Sequence, residues 1–192
     1  MHSTSLLLRS LMALAACGLA ISCSDTSFEY SNRPCRFVFN MNTHAHSAAL
    51  QSAVGSTGIF CMVSKTIKGG ASHYHFTTNQ NLSDDVIFTA EDERTTVLLG
   101  MNDAIIVGFG NLDNPPTFYG YDAECPNCFN PDAIPVRSHR LSLGTDGMAT
   151  CNTCKRKYNL NTGGNIADGE KGNKLERYHA SYNPSGIVTV TN

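Results

Sequence analysis

The chain has 192 residues, which suits one domain or one domain plus an export segment. Apolar residues make up 41% of it, enough to fill a core but too few for a polytopic membrane protein. The formal net charge of −2 gives neither a basic face nor an acidic tail, so a nucleic-acid partner is not expected.

The N-terminal 22 residues differ in kind from the rest of the chain. A sparse basic start at Arg9 is followed by the apolar stretch LMALAACGLAIS, then by Cys23 and a polar segment. The apolar stretch is shorter than the roughly 20 residues that a membrane-spanning helix needs, and it predicts a secretory signal. It resembles a bacterial lipoprotein signal, in which cleavage occurs before a cysteine that receives the lipid.

This resemblance implies that residues 1–22 are removed, that Cys23 is lipidated and that residues 23–34 form a tether. Cys17 is the alternative lipidation site, because it follows Leu-Ala-Ala, but it has only a very short hydrophobic region before it. An ordinary cleaved signal with an incidental cysteine is a further alternative. We expect an exported cell-envelope protein, anchored by lipid to a bacterial membrane and in particular to the outer membrane. Disulfides persist in such a compartment.

Short β-strands are predicted along most of the mature chain, separated by turn-forming residues. A loop with one helical turn is expected over 41–57 and a charged turn over 90–94, while residues 79–103 are otherwise ambiguous. The predicted strands are 35–40, 58–64, 73–78, 104–110, 117–124, 139–143, 148–150, 157–160, 175–182 and 186–192. Their spacing, without a long amphipathic helix, predicts an all-β sandwich or barrel over residues 35–192.

Four of the chain's eight cysteines form two C-x-x-C pairs, Cys125 with Cys128 and Cys151 with Cys154. Each pair follows a predicted strand, so each lies in a turn where both sulfurs can face one point. Four thiolates that converge from two such turns form a tetrahedral metal site, with Zn–S distances of ~2.3 Å. The alternative is disulfide bonding; a redox-active C-x-x-C accompanies a βαβ pattern, which this sequence lacks.

The sequence around these pairs resembles a Rieske domain over residues 104–192. The stretch 104–128, AIIVGFGNLDNPPTFYGYDAECPNC, resembles the family's strand, turn and approach to its first ligand loop. The second half follows the family's order of ligand turn, aromatic residue, Thr-Gly turn, glycine-rich loop and two final strands. The matching positions there are Cys151, Tyr158, Leu160, Thr162, Gly163, Gly169, Leu175, Tyr178, Gly186, Val188 and Val190. The resemblance implies a Rieske-like β-sandwich or barrel with two metal-binding loops at one end.

The ligand residues depart from the family pattern. Where the first Rieske loop reads Cys-x-His, this chain has Cys125, then Asn127 at the histidine position and Cys128 one residue later. In the second loop Cys154 replaces the histidine that follows Cys151. Because the two histidines raise the potential of a Rieske centre, a high-potential centre is not expected here.

Three outcomes stay open for the four cysteines: a zinc or a single iron on the same ligand set, a [2Fe–2S] cluster of lower potential, or disulfides. Exported cluster proteins of the family usually carry a twin-arginine signal, whereas Arg9 is followed by Ser10. The zinc or single-iron site is therefore favoured, as a structural centre in a binding or assembly lipoprotein with a protein partner in the envelope. The alternative function is electron transfer through a [2Fe–2S] centre.

The remaining cysteines, Cys35 and Cys61, are candidates for a disulfide. Such a bond would close a 25-residue loop and could stabilise the domain by ~3 kcal/mol. The alternative is two buried thiols.

No other motif points to catalysis. The sequence has no nucleophile motif, phosphate loop or dinucleotide fingerprint, so neither an activity of its own nor a small-molecule substrate is expected. Two His-x-His pairs are predicted to be solvated rather than metal-binding: His44 with His46, and His73 with His75.

Overall fold

The computed structural model describes residues 29–192. The predicted signal peptide, the predicted lipidation site Cys23 and its alternative Cys17 lie outside the described residues. Within residues 29–192, no helix is long and apolar enough to cross a membrane.

Short β-strands dominate the described residues, and the predicted all-β class is confirmed. The strands are β1 (Arg36–Asn40), β2 (Phe60–Lys68), β3 (Ala71–Thr78), β4 (Ser83–Ile87), β5 (Ala104–Phe109), β6 (Phe118–Asp122), β7 (Leu141–Leu143), β8 (Met148–Cys151), β9 (Lys157–Asn159), β10 (Asn165–Asp168), β11 (Arg177–Asn183) and β12 (Ile187–Thr191). The helices are α1 (Ala48–Gly55) and α2 (Ala90–Arg94). Single 3-10 turns cover Gly100–Asn102 and Leu160–Thr162.

The strands form two antiparallel sheets. Eight of them, in the order β1-β12-β11-β6-β5-β2-β3-β4, make a large sheet that curls into a half-barrel. The other four, in the order β10-β9-β8-β7, make a small sheet. The small sheet's strands have only three or four residues each, so their backbone hydrogen bonds alone cannot hold it in place.

Strand β5 shows how the two sheets come together. Its sequence AIIVGF is almost wholly buried. Successive side chains of a strand point to opposite faces, so both faces of β5 are covered. Ile105 and Val107 face the concave core of the large sheet, which α1 closes. Ala104 and Ile106 face a second core that also includes residues of the small sheet. That second core contains Cys125 and Cys151.

Two segments contain short helices where other structure was predicted. Residues 41–57 were predicted to be a loop with one helical turn, and residues 90–94 a charged turn. Helix α1 begins at the N-cap Ser47, whose side chain accepts a hydrogen bond from the Leu50 N–H. Helix α2 begins with a capping box between Thr89 and Asp92. The Ser47 hydroxyl also donates to Asp84, at 2.7 Å, and this contact across 37 residues could not be read from local sequence.

The prediction that the His44 side chain is solvated was wrong. Its side chain is only 5% exposed, and its Nε2 lies 2.8 Å from the Asp92 carboxylate. The Tyr74 hydroxyl donates to the other oxygen of Asp92, at 2.9 Å. His44 is thus part of a buried polar network between the chain after β1 and helix α2. In contrast, His73 and His75 remain partly exposed on β3, with His75 Nδ1 2.8 Å from Asp85.

The predicted disulfide between Cys35 and Cys61 is absent from the structure, in which both are free and buried thiols. Cys35 precedes β1 at one edge of the large sheet, and four strands separate β1 from β2, which carries Cys61. The Cys35 thiol instead donates to the Val190 carbonyl, at 3.8 Å. The prediction assumed that the first two strands were neighbours, and the sheet order contradicts that assumption.

Candidate metal centre

The four paired cysteines lie in two turns that belong to different sheets. Cys125 and Cys128 follow β6 of the large sheet, whereas Cys151 ends β8 of the small sheet and Cys154 lies in the turn before β9. In the first turn the Cys125 carbonyl accepts from the Cys128 N–H, at 3.1 Å. In the second, the Cys151 carbonyl accepts from the Lys155 N–H, at 2.9 Å. Each turn therefore folds back so that both of its sulfurs face the same side.

The four sulfurs converge on one point. All four Sγ atoms lie within 4.8 Å of one another. The Cys125 Sγ is 3.7 Å from the Cys154 Sγ, and the Cys151 Sγ is 3.8 Å from the Cys128 Sγ. A tetrahedron with metal–sulfur bonds of ~2.3 Å has sulfur–sulfur edges of about 3.8 Å. The spacing therefore fits four thiolates on one ion.

These distances exclude disulfides in this arrangement, since bonded sulfurs lie at ~2.05 Å. All four cysteines are free. Cys125 and Cys151 are fully buried in the second core, while Cys128 and Cys154 are partly exposed. The exposed pair leaves a path by which an ion can reach the sulfurs.

A tyrosine hydroxyl supports the first ligand. The Tyr158 hydroxyl lies 3.2 Å from the Cys125 Sγ and accepts a hydrogen bond from the Asn127 amide, at 2.9 Å. Because Asn127 supplies the donor to this oxygen, the Tyr158 proton is free to point at the sulfur. Hydrogen bonds from outer groups to ligand atoms orient the ligands and tune a bound metal.

The thiols differ in acidity. Burial raises the pKa of Cys125 to about 11 and raises that of Cys128 as well. Burial also acts to raise the pKa of Cys154, but the backbone N–H and guanidinium of Arg156 lower it to about 6. Since a metal takes up thiolates, binding at neutral pH should release the protons of the more basic thiols.

The buried carboxylate of Glu124 holds the first ligand turn in place. Glu124 precedes Cys125 and is only 1% exposed. It accepts hydrogen bonds from the Asn102 amide and the Ser138 hydroxyl, both at 2.6 Å. The Cys125 N–H donates to the His139 carbonyl, at 3.1 Å. Glu124 thereby joins the first ligand turn to both the segment before β5 and the segment before β7.

A third loop, residues 169–174, joins the two ligand turns. The Asn127 amide donates to the Asn173 carbonyl, at 2.8 Å, and its oxygen accepts from the Asn173 N–H, at 2.9 Å. The Arg156 guanidinium donates to the carbonyls of Glu170, at 2.9 Å, and Lys171, at 3.1 Å. One side chain from each ligand turn therefore holds this loop.

The structure brings together all four predicted ligands and leaves Cys35 and Cys61 apart from them. Sequence reasoning treated Asn127 only as a missing histidine and did not single out Arg156 or Glu124. The sole signal for Asn127 was its position between two cysteines, because its partner Asn173 is 46 residues away.

In comparisons with known proteins, no family model, curated protein or solved structure matches this chain.

Replacing Tyr158 with Phe should weaken metal binding without abolishing it. The variant keeps the four sulfurs but loses the hydroxyl at Cys125, and loss of such an outer hydrogen bond lowers metal affinity by about 10- to 100-fold. Competition with a chromophoric chelator measures this. The matched control is Tyr119→Phe, whose hydroxyl bonds to Asp113 and not to the centre. Equal affinities in the two variants would contradict the assigned role of Tyr158.

Proposed function

We propose that this chain is a lipid-anchored cell-envelope protein whose Rieske-like domain holds a single metal ion on Cys125, Cys128, Cys151 and Cys154. Zinc is the favoured ion, and a single iron uses the same ligand set. The ion has a structural role: it fastens the small sheet to the large one. No reaction is assigned to the centre.

The observation that carries the proposal is the spacing of the four sulfurs. In a [2Fe–2S] cluster each iron takes two of the four thiolates, so thiolates on different irons stand farther apart than thiolates on one ion. Here every pair among the four Sγ atoms lies within 4.8 Å, so the four sulfurs do not divide into two separated pairs. This compactness favours one ion over the cluster.

The position of the centre supports a structural role. Two ligands come from the large sheet and two from the small sheet, whose strands have three or four residues each. At structural metal sites the binding free energy is part of the folding free energy. An ion at this junction therefore stabilises the packing of the small sheet on β5 and β6.

The Rieske likeness and the anchor come from the sequence. The order of sequence motifs over residues 104–192 supports the Rieske likeness, because the two C-x-x-C turns occupy the positions of the two Rieske ligand loops. The apolar run before Cys23 and the polar segment after it support the lipid anchor. The proposed partner class is another protein of the envelope.

The anchor predicts the behaviour of a Cys23→Ser variant. The protein should move from the membrane fraction to the soluble fraction of its native host, because the variant cannot take up the lipid that provides stable anchoring. Immunoblots of separated fractions measure this, and Cys17→Ser is the matched control that should remain with the membrane. The proposed site is wrong if Cys17→Ser is released and Cys23→Ser is not.

The metal predicts both the composition and the stability of the protein. Protein from the native host should contain one zinc or one iron per chain and no acid-labile sulfide. Replacing any of the four ligands with Ser should remove the ion and lower the free energy of unfolding by ~2 kcal/mol or more. Element analysis and urea unfolding measure these quantities.

The matched control for the ligand variants is Cys61→Ala, which removes a buried thiol outside the centre and should leave the metal content unchanged. If the protein contains two irons and two sulfides per chain, the structural role is wrong and electron transfer is the supported function. Metal-free protein with all four cysteines in disulfides would overturn both metal functions.

A further inference from the structure

The first described residues are fastened to one end of the domain. The Glu29 carboxylate lies 2.8 Å from the Arg177 guanidinium, and the Tyr30 ring stacks on His179 with centroids 3.8 Å apart. The Ser31 N–H donates to the Arg177 carbonyl, at 2.6 Å. The N-terminal segment therefore leaves the domain at a fixed place, beside β11.

This place limits how the domain can face a membrane. Glu29 is six residues after Cys23, and six residues span at most about 20 Å. The inference rests on the proposed lipid anchor: with lipid on Cys23, the end of the domain that carries Glu29 lies within that distance of the bilayer.

The third loop lies at the same end. Residues 29–32 and 172–177 line one cavity of about 880 Å³. Lys174 lines both this cavity and a neighbouring one of about 470 Å³, which Lys171 also lines. Lys155 is next to Arg156, whose side chain holds the loop. We call Lys155, Lys171 and Lys174 the anchor-end lysines.

Within the described part of the chain, the anchor-end lysines form no ion pairs with the acidic side chains around them. Three acidic side chains at this end are each paired with a cation, in the pairs Glu29–Arg177 at 2.8 Å, Glu170–Arg156 at 3.4 Å and Asp168–Lys157 at 3.9 Å. None of the anchor-end lysines forms an ion pair within residues 29–192. Glu176, on the larger cavity, is the one acidic residue of its lining left to offset them. The Arg156 guanidinium lies close to both the Glu170 carboxylate and the Cys154 thiol.

We propose that the anchor-end lysines dock on the anionic headgroups of phospholipids, so that the protein rests on its membrane with the metal-centre end toward the bilayer. Lysines near an anionic membrane surface are attracted to it, and the attraction acts within about 8 Å at physiological salt. A tether of at most about 20 Å allows this distance to be reached. The lipid supplies the anchoring, and the lysines supply the orientation.

The test uses the chain from residue 23 onward, loaded with zinc and carrying Cys23→Ser, so that no lipid contributes. Co-sedimentation is measured with vesicles of phosphatidylglycerol and phosphatidylcholine in equal parts, and with vesicles of phosphatidylcholine alone. The protein should bind the anionic vesicles only, and less well as salt rises. Lys171→Gln and Lys174→Gln should each lower the partition coefficient about fivefold, whereas Lys→Arg at both positions should preserve it.

The charge-matched control is Lys65→Gln with Arg94→Gln, on β2 and α2, which should leave the partition coefficient unchanged. Equal binding to neutral and anionic vesicles overturns the proposal, as does an unchanged partition coefficient in the Lys171→Gln, Lys174→Gln double variant. Displacement by inorganic phosphate at matched ionic strength also overturns it, since that result indicates a phosphate site instead of a membrane surface. Because the tested chain carries no lipid, these results are independent of the Cys23 fractionation experiment.

Discussion

Four cysteine sulfurs converge between the two sheets, and their meeting point limits how the small sheet can pack on the large one. Two of the sulfurs are attached to the large sheet and two to a small sheet of very short strands. Their separations of 3.7 and 3.8 Å are close to the edge of a metal–sulfur tetrahedron. Without a shared ion, thiols buried this closely would gain little from their contact. With one, the two sheets acquire a common fixed point.

The groups around the sulfurs extend this fixed point to a larger part of the domain. Glu124 ties the first ligand turn to segments on either side of it. Asn127 and Arg156 hold the third loop from the two ligand turns. The third loop in turn forms one wall of the cavity beside the N-terminal segment. The state of the centre and the shape of this end of the domain are therefore physically linked.

Much of the fold and the ligand set could be predicted from local patterns. The apolar run of β5 and the hairpin around β7 and β8 carry strand and turn signals within a few residues of each other. The two C-x-x-C pairs are local as well, and their positions after strands indicated that the sulfurs would meet. The structure has these elements where the sequence predicts them.

Long-range pairings set the features that sequence reasoning missed. His44 looked like a solvated loop residue because its partner Asp92 is 48 residues away. The expected bond from Cys35 to Cys61 required the first two strands to be neighbours, and strand order is a property of the whole sheet. Asn127 gains its role from Asn173, in a loop that the sequence marks only as rich in glycine.

X-ray absorption spectroscopy at the metal edge, on protein isolated from its native host, tests the single-ion centre most directly. We expect four sulfur neighbours at ~2.3 Å and no scattering from a second metal. A short metal–metal path, or nitrogen or oxygen in place of any of the four sulfurs, would contradict it.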